Sequence, residues 1–83
     1  MKKYLVNQWL KERDAAALSL NVETFKAFYR KWQEIGVYDQ DLPSDELIEV
    51  CMRKMICMMQ NAPEDAKLDA IIWLKDRGWS IPV

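Results

Sequence analysis

The chain reads as all-α: a small single domain, residues 1–83, of four helices packed as a four-helix bundle or an orthogonal helical array. Three observations carry that expectation. Two Gly and three Pro in 83 residues leave too few turn formers for a strand-rich sandwich or barrel. A composition of 51% hydrophobic and 30% charged residues excludes a disordered or low-complexity chain. Apolar residues recur at a period near 3.6, in segments separated by Gly36, Pro43 and Pro63.

The first helix is expected over residues 3–18, with Leu5, Val6, Trp9, Leu10, Ala16 and Ala17 on one side. Arg13 falls inside that stripe. Either its aliphatic stem covers the core edge while its head reaches water, or the chain bends between Lys11 and Asp14. The second helix, residues 22–35, has the cleanest pattern. Asn21 is placed to cap it, and Val22, Phe25, Phe28, Tyr29, Trp32 and Ile35 share one half of its circumference. Gly36 suits the left-handed residue that ends such a helix.

The third helix, residues 45–60, follows Ser44 as its cap, with Asp45 and Glu46 at the positive end of its dipole. Leu47, Ile48, Cys51, Met52, Met55, Met58 and Met59 form its core stripe, about 140° wide at 100° per residue. Val50 and Cys57 make a second, smaller apolar strip, which reads first as a central helix touched by neighbours on two sides and otherwise as a partner groove or dimer face. The fourth helix, residues 63–77, is expected to open with a capping box at Asn61-Ala62-Pro63-Glu64 and to end at Gly78. The tail, residues 79–83, alternates Trp79, Ile81 and Val83 with Ser80 and Pro82, and is expected to fold back over the core.

Several chemistries are unsupported. The sequence has no histidine, hence no neutral-pH imidazole base and no imidazole metal ligand. Cys51 and Cys57 lie about 9 Å apart along a helix and on different sides, so they cannot bridge one another. Asp65, Asp69 and Asp76 form a narrow acidic edge that lacks the ligand density of a cation site. No catalytic residues, cofactor, metal or small-molecule substrate are expected, and the chain reads as a non-enzyme. No apolar run spans a bilayer, and the start lacks a signal-peptide core, so no membrane partner and a cytoplasmic location are expected.

Charge divides unevenly. Residues 1–35 carry seven basic and four acidic side chains; residues 36–83 carry five and nine. The leading functional expectation is a protein–protein interaction module, an adaptor or inhibitor, of a size that suits a small regulator from a phage or mobile element. It would bind another protein, or a second copy of itself through the third helix. The candidate surface is Val50, Arg53, Lys54 and Cys57 on the third helix, with Trp73 and Trp79 as anchors; Trp and Arg dominate interface energetics.

Ala15, Leu18, Leu20, Asn21, Phe25 and Phe28, within residues 15–28, form a pattern that resembles a helix-turn-helix DNA-binding unit. The resemblance implies a small residue on the first helix packed against the second. It also implies nucleic-acid contact through residues 21–32, where Asn21 caps the recognition helix, Glu23, Lys26 and Arg30 face the major groove, and Lys31 lies near phosphate. Ser19 stands where that family's turn usually has Gly. The geometry requires a separate short helix before the turn, so continuity through Arg13 decides against it.

Overall fold

A computed structural model of the chain describes residues 2–82. Its helices are α1 (Lys3–Leu18), α2 (Val22–Ile35), α3 (Asp45–Met58) and α4 (Glu64–Asp76). The array is elongated, 36 × 27 × 20 Å with a radius of gyration of 13.0 Å, against roughly 12 Å expected for a chain this long. The reason is its layout: α3 packs against α1, α2 and α4, while α4 leans chiefly on α3.

Local signals set most helix ends. The Asn21 side chain accepts a hydrogen bond from the Thr24 amide at 3.0 Å, and Ser44 Oγ accepts one from the Leu47 amide at 3.3 Å. Gly36 closes α2 at φ 101°, and the amides of Gly36 and Val37 both donate to the Trp32 carbonyl. Two ends differ from the sequence expectation. α3 stops at Met58 because Met59 turns extended and buries its side chain in the core. α4 runs 64–76 rather than 63–77: extended Pro63 takes the cap position without a side-chain bond, and Asp65 Oδ1 accepts from the first-turn Ala66 amide at 2.9 Å. The residue before a proline is steered away from helical geometry, so Asn61-Ala62 cannot form the expected capping box.

The core holds Trp32, Ile48, Met52, Ile56 and Leu74 as its largest fully buried side chains. The α3 stripe differs from the one its periodicity suggests. Val50 is buried, whereas Leu47 and Met58 are exposed, because α3 is covered from two directions and its apolar surface is not a single face. Ile35, expected on the buried side of α2, is also exposed.

α1 runs unbroken through Arg13. The Arg13 guanidinium lies 5.4 Å from the centroid of the Trp9 ring and donates to Asp14 Oδ1 at 3.0 and 3.2 Å, so the stem covers the core edge as the first alternative requires. Tyr38 ties the α2–α3 loop down. It stacks on Tyr29 with centroids 4.3 Å apart, meets Phe28 edge-on, and its hydroxyl accepts from Trp9 Nε1 at 3.0 Å. Residues 79–82 fold back, with the Trp79 amide donating to the Leu74 carbonyl at 2.9 Å and Trp79, Ile81 and Pro82 half-buried. Val83, assigned to this tail by its sequence, lies outside the described residues.

Glu12 joins α1 to α2, accepting from Lys31 Nζ at 2.8 Å and from Trp32 Nε1 at 3.2 Å. The Lys31 hydrogen bond holds its carboxyl below the ordinary 4.5; burial opposes this, and bonds from Gln8 and Trp32 add to it. A carboxyl depressed in the folded state stabilises the fold above its unfolded pKa and loses that contribution as pH falls through the folded one. Glu12→Gln should therefore lower stability near pH 7 and flatten its fall on acidification below about 4.5, read as urea midpoints across that range. Gly36→Ala meets no steric obstacle but must hold a positive φ. It should cost about 1 kcal/mol, a loss of roughly 4–8 °C in Tm by circular dichroism.

Candidate functional site

The seam between α3 and α4 gathers most of the surface expected from the sequence. Arg53 and Lys54 leave α3 next to each other; Trp73 and Trp79 come from α4 and from the turn after it. The Arg53 guanidinium sits 4.1 Å from the centroid of the Trp73 ring, and Lys54 Nζ sits 5.6 Å from that of Trp79. Four of the six candidates thus form two cation–aromatic pairs, each worth about 0.5–1 kcal/mol where exposed and more where desolvated.

The other two fall elsewhere. Val50 is 3% exposed and belongs to the interior, so the partner surface cannot include it. Its burial agrees with the reading of the Val50–Cys57 strip as a second covered side of α3, and not with its place on a partner surface. Cys57 is half-buried and packs against the core.

Arg77 completes the arrangement. Its guanidinium also lies 4.1 Å from the Trp73 centroid, and its Nη1 donates to the Trp73 carbonyl at 3.2 Å. One indole therefore carries two cations. Arg53 is further fixed by Glu49, through a bond to its carbonyl at 3.4 Å and a 3.8 Å ion pair with its carboxylate. Burial lowers the Arg53 pKa; Glu49 opposes this, and the like charge of Arg77 adds to it. Arg77 stands four residues after Trp73, a spacing that puts both on one helix face; that signal is in the sequence.

Beside the stack lies a groove of about 250 Å³, lined by Ile56, Ala66 and Ala70, with Leu20, Asp65 and Asp69 around it and Arg53 and Trp73 also in its wall. Small residues at 66 and 70 keep α4 thin there, so the space stays open. Leu20 belongs to the α1–α2 turn and has φ 51°, the one non-glycine residue at positive φ among those described. It is 44% exposed. A leucine in that conformation is strained by roughly 1–2 kcal/mol, and sequence reading gives no sign of it.

The candidates from the DNA-binding resemblance lie along α2 with much of their charge already engaged. Lys26 pairs with Asp45 at 2.8 Å and Glu23 at 3.5 Å, and the Asp45 hydrogen bond is the main cause that raises its pKa. Lys31 is held by Glu12, Arg30 is exposed, and Asn21 is occupied as the α2 cap. Ala15, the small residue expected to pack against α2, is exposed; Ala16 and Ala17 are buried instead. Because α1 is one continuous helix, the separate short helix that the resemblance requires is absent. Strain in the turn falls on Leu20 rather than on Ser19.

Among the described residues no three of the acidic and thiol side chains converge on a common metal position, and no helix is long and apolar enough to cross a membrane. Comparison with protein-family models, with curated proteins and with solved structures returns no match.

Burial is the largest cause that raises the thiol pKa of both Cys51 and Cys57, with Lys54 and Lys67 respectively opposing it. Fewer thiolates form at neutral pH as a result. Near pH 7.5 both cysteines should react with an aromatic disulfide reagent more slowly than a free thiol of ordinary pKa does. The rates should go on rising past about pH 9, where a thiol of ordinary pKa levels off, followed by absorbance.

Proposed function

We propose that this chain is a non-catalytic protein-interaction module that grips a partner along the α3–α4 seam. The strained, exposed Leu20 carries the reading. Asparagine or glycine would occupy a positive φ at lower cost, yet a leucine stands there and places an apolar side chain at an open groove. Strained backbone conformations cluster at sites that hold ligands. Beside it, Trp73 with Arg53 and Arg77, and Trp79 with Lys54, supply the residue types that anchor interfaces.

Nucleic-acid binding through α2 has less support, since Lys26 and Lys31 hold carboxylates of their own chain. Arg30 leaves too little free charge for a strong phosphate contact.

The test separates stability from binding. Leu20→Asn should raise stability by up to about 1 kcal/mol, read from urea unfolding. The same substitution should weaken the complex with a partner captured by the wild-type chain, and Trp73→Ala should weaken it about tenfold or more. A complex indifferent to both substitutions refutes the seam as the binding surface. Duplex DNA bound near 50 mM salt, and released by Lys26→Glu/Arg30→Glu, would transfer the function to α2.

A further inference from the structure

The outer side of α4, away from the groove, carries apolar surface that the chain does not cover. Leu68 is 57% exposed and Ile72 49% exposed, one turn apart, with the partly exposed Ile71 beside them. Glu64 lies one turn before Leu68, and Lys75 one turn after Ile71. Positions 64, 68, 71 and 75 follow the four-three-four spacing that keeps side chains on one stripe of a helix. Among the described residues neither Glu64 nor Lys75 forms an ion pair. A two-turn apolar centre with an acid at one end and a base at the other is complementary to itself when reversed.

We infer that this stripe docks a second copy of the chain, α4 against α4, antiparallel about a two-fold axis near residues 69–70. In that arrangement each Glu64 meets the other protomer's Lys75, and each Leu68 lies across from the other's Ile71 and Ile72. A two-fold contact requires one patch to match itself in this way. Parallel packing would set Glu64 against Glu64 and Lys75 against Lys75. The antiparallel order also opposes the two helix dipoles favourably. The surface lies on the flank of α4 opposite Trp73, so it is independent of the partner seam and both can be filled together. Three turns of helix bury less than a standard interface, which sets the association in a weak range, on the order of 10–100 µM.

Sedimentation equilibrium from about 10 µM to about 1 mM tests this on the full chain. The wild type should pass from monomer to dimer and no further. Leu68→Asp/Ile72→Asp should weaken association more than about tenfold, and Glu64→Lys or Lys75→Glu alone by roughly threefold to tenfold. The combined Glu64→Lys/Lys75→Glu variant should return to wild-type association, since it rebuilds both pairs with reversed sign. These residues are solvent-facing, and the three charge-reversal variants leave the apolar centre intact. A monomeric wild type overturns the proposal, as does a dimer indifferent to the aspartate substitutions. Failure of the double reversal to recover association overturns the antiparallel pairing. Capture of a foreign protein that the aspartate variant alone abolishes, with the wild type monomeric, would assign the stripe to that protein.

Discussion

The need to cover α3 on two sides governs this fold. Ile48, Met52 and Ile56 are fully buried and Val50 nearly so, and no single neighbouring helix reaches all of them. α1, α2 and α4 all pack against α3, and Ala70 of α4 joins the cluster that α1 and α2 build on it. The principal core cluster holds Ile48, Met52 and Ile56 together with Trp32, Phe25 and Phe28 of α2, whereas Val50 and Leu74 are buried outside it. The groove opens along the boundary of the α3–α4 contact, where α4 carries alanines toward α3 and the α1–α2 turn.

Four tryptophans are more than a 9.8 kDa chain can enclose, and cations cover the difference. Arg13 lies against Trp9, Lys31 against Trp32, Arg53 and Arg77 against Trp73, and Lys54 against Trp79. Each of these side chains lays apolar methylenes or a weakly hydrated guanidinium along aromatic surface and keeps its charge near water. The polar tips are also accounted for: the Trp9 and Trp32 indoles donate to Tyr38 and Glu12, and no buried side-chain polar atom lacks a partner among the described residues. A chain too small for a large core thus gains cohesion from amphipathic pairs at its edge.

What the sequence disclosed and what it withheld follow one physical division. The caps at Asn21, Ser44 and Gly36, the continuous α2 stripe and the four-helix architecture depend on interactions within a few residues, and local rules recover them. The α3 stripe needed knowledge of both neighbours. The Val50–Cys57 strip pointed to a helix covered from two sides, but the main stripe placed Leu47 and Met58 inside and the functional reading placed Val50 on the surface, each opposite to the structure. The same limit shaped the site. Arg53, Lys54, Trp73 and Trp79 were recognisable as unusual residue types, but their pairing depends on the rotation of α4 about α3. Leu20 depends on how tightly the α1–α2 turn closes, which no residue type at that position announces.

The attachment of α4 chiefly through α3 has a bearing on local opening. α2 buries Phe25, Phe28 and Trp32 and is tied down by Glu12 and Tyr38, whereas α4 buries only Ala70 and Leu74 and borders a partly open groove. Cooperative units of a protein open at different free energies, and elements with fewer buried contacts open first. The amides of α4 therefore belong to a lower-stability unit than those of α2. One surface assigned to binding lies on that unit and the other joins it to α3 and the α1–α2 turn, so an occupant of either acts as a brace that closes the gap between partial and global unfolding.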